Sequence, residues 1–476
     1  MMDSELLEEA TVRGAAYREW LRGKRVSVVG LARSGVAAAQ LLLKLGARVT
    51  ATDAKPVAGL SADARGLSDT GIYLYAGGHP PEAFSEAELV IVSPGVPADH
   101  PALVAVRGRG VPVIGELELA WRVMEADVIA ITGTNGKTTT TALAGALLRE
   151  QIRPVLVGGN IGTPLAAHAL DFPADGIVVA EVSSFQLETI EAFHPRVAAV
   201  LNLAPDHLDR HGSFAAYVAA KARIFENQTE ADCVILNFDD AATAALAAHT
   251  KAHVIFFSRQ RPLERGVFCQ DGWIAARLNG HLEQICPLAE VSLRGQHNVE
   301  NVLAATACAL WTGMAATSIR RAIQAFRAVP HRIEWIRDIG GVAYYNDSKG
   351  TNVASAIRAL ESFAEPVILL AGGRGKGQDF APLAKAAAGR VRLAVLIGED
   401  RERIRAALAA AGIRAVFADS MDGAVRLAGA AARPGEVALL SPACASFDMF
   451  ENFEQRGDAF RAAVLALAEP LERGPR

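Results

Sequence analysis

Short apolar runs, each closed by glycine or a polar loop, alternate along this chain with alanine- and leucine-rich stretches of helical period. That alternation predicts parallel strands joined by crossover helices. Arg25-Val-Ser-Val-Val-Gly30 reads as a buried strand, Val36 to Leu45 as an apolar helix, and Arg48 to Asp53 as the next strand. Leu89-Val-Ile-Val-Ser93-Pro-Gly95-Val-Pro97 is another strand ending in a turn at the same carboxyl edge, where open α/β sheets bind ligands. The last third alternates again, with strands expected at Ala343 to Asn346, Val367 to Ala371, Leu393 to Ile397, Ala415 to Phe417 and Val437 to Ser441.

Between these regions the run Asp127-Val-Ile-Ala-Ile-Thr132 stops at Gly133-Thr134-Asn135-Gly136-Lys137-Thr138-Thr139 and restarts as a helix through about Arg149. This is the build of a phosphate-binding loop, which sets unpaired backbone N–H groups and the positive helix end against phosphate oxygens. Lys137 would reach the outer phosphates, and the Thr138 hydroxyl stands where such loops place a Mg²⁺ ligand. The usual pattern asks for glycine five residues before Gly136, and Ile131 stands there. The fold class expected is therefore α/β with three domains. These are a Rossmann-like domain over 1–115, a central phosphate-loop domain with a mostly parallel sheet over 116–328, and a second Rossmann-like domain over 329–476.

The remaining candidates lie at strand ends. In the first domain Gly30 makes a tight turn, Gly35 allows close helix packing, and Asp53 faces a ribose or its equivalent, or is simply solvated. Ala32 replaces the middle glycine of the dinucleotide fingerprint, so a pyrophosphate comes less close to the backbone there than in NAD enzymes. Gly158-Gly-Asn160-Ile-Gly162 suits close ligand approach. Glu181, near the carboxyl end of the buried strand read over Asp175 to Phe185, is expensive to bury unless it meets a cation or an ion-pair partner. Beyond the next strand, Asp206-His207-Leu-Asp209-Arg-His211 crowds charge into a loop. Tyr217, Lys221 and Phe225 then fall four apart on one helix face, which makes Lys221 either a snorkelling lysine or a functional one.

Composition narrows the function classes. The 476 residues are 51% apolar, enough for buried cores, and 48 basic against 52 acidic residues leave a net charge of −4. No bulk field argues for nucleic acid or a membrane surface. Cys233, Cys269, Cys286, Cys308 and Cys444 are scattered without a C-x-x-C pair, the usage of reduced, structural thiols in a cytoplasm. Met1 to Trp20 is acidic and lacks the form of a signal peptide, and no charge-free apolar run is long enough to span a bilayer.

Along nearly its whole length the chain resembles the Mur ligase family of cell-wall synthesis. The resemblance rests on Ile131-Thr-Gly-Thr-Asn-Gly-Lys-Thr138, Gly159-Asn-Ile-Gly-Thr-Pro164, Glu181-Val-Ser-Ser-Phe-Gln-Leu187, Asp206-His-Leu-Asp-Arg210, Gly295-Gln-His-Asn298, Pro330-His-Arg332, Asn346-Asp-Ser-Lys349 and Ser441-Pro-Ala-Cys-Ala-Ser446. This family's loop is the shorter form, so Ile131 fits it. The match is to the D-glutamate-adding branch, since the Asp-Asn-Pro-Arg of members that add diaminopimelate or lysine does not occur. The resemblance implies a monomer that uses ATP to join D-glutamate to UDP-N-acetylmuramoyl-L-alanine through an acyl phosphate. It implies that Thr138 and Glu181 hold one Mg²⁺, and that Glu181, His207 and a carbamylated Lys221 hold a second. It gives Ser34, Asp53, Ser93, Gly95 and Asn160 to the UDP-sugar, Asn298, Asn301, Arg332 and Asp347 to ATP, and Lys349, Thr351, Lys376, Ser446 and Phe453 to D-glutamate. Two rivals stand beside it. One is a relative adding another amino acid or L-glutamate; the other is a non-catalytic or NAD-type dinucleotide-binding protein, resting on Gly30-x-Ala32-x-x-Gly35 alone.

Overall fold

Buried parallel strands build three separate sheets in the computed structural model, which describes residues 12–467 except 279, 328 and 376. The first has the order β3-β2-β1-β4-β5, from β1 (Arg25–Val29), β2 (Arg48–Asp53), β3 (Tyr73–Ala76), β4 (Leu89–Val92) and β5 (Val113–Gly115), all parallel. The helix Arg33–Lys44 lays Ala38, Leu41 and Leu42 on it. A Cβ on Gly35 would stand 1.8 Å from the Gly30 carbonyl oxygen, so the close approach of helix to strand requires glycine there.

The second sheet runs β14-β13-β12-β11-β10-β9-β6-β8-β7. Its parallel part comprises β6 (Asp127–Thr132), β7 (Val155–Gly159), β8 (Ile177–Glu181), β9 (Val197–Val200), β10 (Cys233–Asn237), β11 (His253–Ser258) and β12 (Gly266–Gln270). The strands β13 (Trp273–Arg277) and β14 (Leu282–Pro287) extend it antiparallel. The third has the order β15-β16-β20-β17-β18-β19. Its strands are β15 (Glu334–Ile339), β16 (Val342–Asn346), β17 (Val367–Gly372), β18 (Val391–Ile397), β19 (Ala415–Phe417) and β20 (Val437–Leu440), parallel except for the β15–β16 pair. The strands expected in the last third fall on β16 to β20, within two residues at each end.

The chain divides into two compact units, Met1–Glu290 with Glu300–Ala325, and Val291–Val299 with Phe326–Arg476. The first two sheets lie in the first unit and the third sheet in the second. All five cysteines are free thiols; Cys233, Cys286, Cys308 and Cys444 are buried. Among the described residues no helix is long and apolar enough to cross a membrane.

Candidate active site

In the first unit the site grows from the carboxyl end of β6. Gly133 (φ 149°) and Gly136 (φ 84°) take backbone conformations that favour glycine, and Gly136 opens the helix Lys137–Leu148. Asn202, just past β9, clasps the loop. Its Oδ1 accepts from the Asn135 N–H at 2.8 Å, and its Nδ2 donates to the Asn135 carbonyl at 3.1 Å. The Thr134 hydroxyl lies 3.0 Å from the Tyr217 hydroxyl. A Cβ on Gly136 would fall 2.2 Å from Oδ1 of Asn301, so that asparagine packs against the loop's last glycine. Thr138 and Thr139 are buried in the first turn of the helix.

Two lysines converge on one carbonyl. Lys137 Nζ donates to Gly133 O at 2.8 Å and to Thr134 O at 2.9 Å. Lys221 Nζ donates to the same Gly133 oxygen at 2.9 Å and to Thr132 Oγ1 at 3.2 Å, with the Tyr217 ring 4.9 Å away. Lys221 is 2% exposed, so it does not snorkel. Burial, then the neighbouring Lys137 charge, hold its pKa well below the usual lysine value, against an opposing pull from Asp206 and Glu181. Such a lysine carries a larger neutral fraction near neutral pH than an exposed one.

Glu181 ends β8, in register beside Ile131 on one side and Gly159 on the other. One of its oxygens accepts from Asn160 Nδ2 at 2.8 Å, while Oε2 is buried without a hydrogen-bond partner. A buried carboxylate oxygen left unmatched is costly, and a hard cation with oxygen ligands would satisfy it. The donor set therefore fits Mg²⁺, with Glu181 Oε2 and the Thr138 hydroxyl as the oxygens to hold it. No cluster of three or more His, Cys, Asp or Glu side chains able to hold a metal occurs among the described residues. His207 has left-handed backbone (φ 51°), a half-exposed ring 4.9 Å from Phe185, and opens the short helix Leu208–His211.

The first sheet's carboxyl edge holds the other candidates of this unit. Asp53 spends both oxygens on backbone, accepting from Leu31 N at 2.6 Å and Lys55 N at 2.8 Å, so it shapes the loop after β1 rather than standing solvated. Ser93 Oγ donates to Gly30 O at 2.7 Å. Ser34 lies in the first turn of the helix Arg33–Lys44, and the space beside Gly95 is open.

In the second unit Asp347 is fully enclosed. It accepts from Ser441 Oγ at 2.7 Å and Ile333 N at 3.3 Å; burial raises its carboxyl to about 6, with Ser441 and Arg332 pulling the other way. Arg332 has a buried Nε without a hydrogen-bond partner, a donor suited to an anion. Asn298 is buried and donates to Arg294 O at 2.6 Å, while burial lowers neighbouring His297 to about 4. Lys349 lies over the Phe453 ring at 5.5 Å, and the Thr351 N–H donates to the Lys349 carbonyl at 2.9 Å. Ser446 is buried, and Lys376 lies outside the described residues.

Sequence reading did not single out Asn202 or Arg456, whereas Tyr217 stood on the predicted helix face with Lys221. Asn202 and Tyr217 brace the phosphate loop, and buried Arg456 ties Ser348 O (2.8 Å) and Ser348 Oγ (3.0 Å) to Cys444 O (3.0 Å). A polar residue directly after an apolar strand was the available signal for Asn202. Nothing local marks Arg456, whose partners at Ser348 lie 108 positions away.

Comparison with known proteins finds matches over three consecutive stretches. Residues 24–115 match the MurD-like N-terminal domain of Mur ligases, residues 131–309 the Mur ligase middle domain, and residues 331–444 the Mur ligase glutamate ligase domain. The chain is 50% identical to the UDP-N-acetylmuramoylalanine--D-glutamate ligase of Acidobacterium capsulatum, over 94% of this chain and 97% of that protein. It is 46% identical to the protein of the same name from Pelotomaculum thermopropionicum, over 93% and 98%. Among solved structures, the UDP-N-acetylmuramate-alanine ligase of Thermotoga maritima shares the fold with a TM-score of 0.59 at 20% identity, covering 93% of this chain and 99% of that one. The pseudomurein peptide ligase type C of Methanothermus fervidus does so with a TM-score of 0.58 at 18% identity, over 93% and 99%. With a phosphate loop backed by two buried or half-buried lysines and three domain matches in order, the chain belongs to the Mur ligase family.

Proposed function

We propose that this chain is an ATP-dependent ligase that adds D-glutamate to UDP-N-acetylmuramoyl-L-alanine in the synthesis of peptidoglycan precursors. The observation that carries the chemistry is the carboxyl end of β6. Lys137 and Lys221 meet there at Gly133, and in the second sheet Glu181 keeps a buried oxygen without a partner. The substrates follow from the relatives' shared name at about half identity over nearly the full chain.

A carboxylate does not form an amide at a useful rate. Transfer of the ATP γ-phosphoryl to the substrate carboxylate gives an acyl phosphate and ADP. The D-glutamate amine then attacks the acyl carbon, and phosphate leaves as the C–N bond forms. The protein's part is positioning and charge neutralisation. Backbone N–H groups at the helix start, Gly136 to Thr139, cradle the phosphates, those of Thr134 and Asn135 being held by Asn202, and Lys137 swings from its two carbonyls to the γ-phosphoryl oxygens. Thr138 and Glu181 would hold Mg²⁺, which would supply further neutralisation of phosphate charge.

His207 and Lys221 would complete a second metal position with Glu181. There the neutral Lys221 amine would add to CO₂ and lose a proton, giving a carbamate whose oxygens would suit the ion. Ser34, Asp53, Ser93, Gly95 and Asn160 serve the UDP-sugar, with Asp53 and Ser93 acting through the loop they shape. Asn298, Asn301, Arg332 and Asp347 serve ATP, and Lys349, Thr351, Lys376, Ser446 and Phe453 serve D-glutamate. The division into 1–115, 116–328 and 329–476 follows the same roles, and the enzyme works as a cytoplasmic monomer.

The test is ADP release with UDP-N-acetylmuramoyl-L-alanine against a panel of D- and L-amino acids. D-glutamate should be the preferred acceptor. Faster turnover with L-glutamate or another amino acid would assign the chain to a different acceptor, and amino-acid-independent ADP release would overturn the ligase reading.

A further inference from the structure

Arg210 joins three parts of the site that the catalytic roles above leave unconnected. Its Nη1 donates to Pro94 O and its Nη2 to Val96 O, each at 3.2 Å, in the loop beyond β4 that also carries Ser93 and Gly95. The same Nη2 meets Glu188 Oε2 at 2.6 Å, and the guanidinium lies 4.6 Å from the centre of the Phe185 ring. Phe185 belongs to the short helix Ser184–Leu187 and Glu188 follows it, just past Glu181 at the end of β8. Arg210 itself sits in the turn that His207 opens.

The contacts continue behind it. Glu188 Oε1 stands 3.4 Å from Nδ1 of His211, and His211 Nε2 lies 3.0 Å from Ser184 Oγ. Phe185 touches both the His207 ring (4.9 Å) and the His211 ring (5.6 Å, stacked). Arg210 and Glu188 are each under one-fifth exposed, so the pair is shielded from the screening that makes surface ion pairs weak. A planar guanidinium can serve two carbonyls, a carboxylate and an aromatic face at once; a lysine ammonium at the same place cannot.

We infer that Arg210 is a positioning residue linking the loop at 93–97 to the turn that orients His207, with Glu188 as its anchor. It touches no reacting atom. Its effect is that the loop assigned to the nucleotide-sugar and the turn assigned to the metal hold their places together. The identity of the ligand at 93–97 rests on the function proposed above; the link itself rests on the contacts.

The experiment compares wild type with Arg210→Ala, Arg210→Lys, Glu188→Gln and the double variant Arg210→Ala/Glu188→Gln. The readouts are KM for each substrate, kcat, thermal unfolding, and calorimetric binding of UDP-N-acetylmuramoyl-L-alanine without ATP. Arg210→Ala should raise KM and Kd for the UDP-sugar at least tenfold and lower kcat, while KM for ATP stays within about twofold. Arg210→Lys should recover little of this. Glu188→Gln, which keeps an acceptor for the guanidinium and so preserves the fold, should shift the same constants in the same direction but less. The double variant should be no worse than Arg210→Ala alone, because both changes cut one link. Wild-type UDP-sugar constants in Arg210→Ala, an equal loss for ATP and UDP-sugar, or additive losses in the double variant would each overturn the inference. A wild-type enzyme that binds the UDP-sugar yet shows no D-glutamate-dependent turnover would sink the functional reading instead, leaving the binding comparison to decide the role of Arg210.

Discussion

Replacing Glu116 by Gln should stabilise the protein, and more so as pH rises. Glu116 begins the helix Glu116–Val123 and is 1% exposed. Its Oε1 accepts from Ala166 N at 2.7 Å, holding the turn that follows Asn160-Ile-Gly-Thr-Pro164, while Oε2 is buried without a partner. Burial pushes the carboxyl from 4.5 up to about 7, with the Ala166 hydrogen bond pulling the other way. A carboxyl with a raised folded-state pKa binds its proton more tightly when folded. It therefore costs nothing below pH 4.5, costs increasingly as pH climbs to 7, and stays at its full cost above that. The rise corresponds to about 3 kcal/mol, of which about 2.5 kcal/mol accrues between pH 5 and pH 8. Gln keeps the acceptor for Ala166 and removes the charge. Urea unfolding of both proteins at pH 5, 6, 7 and 8, followed by tryptophan fluorescence, gives the difference in stability directly. Asp347, also raised, is common to both proteins and cancels. A difference that stays flat with pH, or moves against the variant as pH rises, would refute the argument and mean that Oε2 has a partner such as an ordered water.

Three further outcomes follow from the phosphate-loop geometry. Lys137→Ala should lose at least about 10²-fold in kcat, the scale of removing one preorganised charge-stabilising group, with the unfolding midpoint little changed because Lys137 is half-buried at the first position of its helix; an active variant would sink the assignment. Lys221→Ala should lose activity and regain part of it with added acetate, which supplies the missing oxygens, whereas Lys221→Arg should be inactive and not rescued; wild-type rates in either would refute the carbamate. Gly136→Ala should abolish ATP-dependent turnover, since its φ of 84° is strained for alanine and the new Cβ would meet Asn301 Oδ1 at 2.2 Å; full activity would show that Asn301 does not pack on the loop.

Strands whose burial is nearly complete were legible because nothing competes with their apolar runs: β4, β6, β8, β17 and β20 are such cases. The antiparallel additions were not. In β14 the residues Leu282 to Gln284 are exposed, and in β15 Trp335 is exposed beside polar neighbours, so pairing rather than composition makes them strands. In the site, the four-residue spacing of Tyr217, Lys221 and Phe225 announced a lysine on an apolar face, and all three are buried. Sequence could not show that Asp53 turns both oxygens to backbone N–H groups, or that Arg210 reaches carbonyls 114 and 116 positions away. Such bonds join side chains to backbone across the fold and leave no local pattern to read.

The buried charges separate folding from function in this chain. Glu118 is a structural case: Arg122 and the backbone N–H groups of Glu191, Ala192 and Phe193 satisfy it, and nothing of its carboxylate is left over. Glu181 and Lys221 are different. Each is buried and one is an acid, the other a base, yet no ion pair forms between them among the described residues: Lys221 turns to Thr132 and Gly133, and Glu181 to Asn160. A sequence selected only for stability would pair such groups or replace them with apolar ones. Keeping them apart leaves Glu181 with one carboxylate oxygen that no protein group satisfies and Lys221, bonded to Thr132 and Gly133, pushed towards its neutral form. On the function proposed above, the stability given up at these positions serves the binding of phosphate and metal.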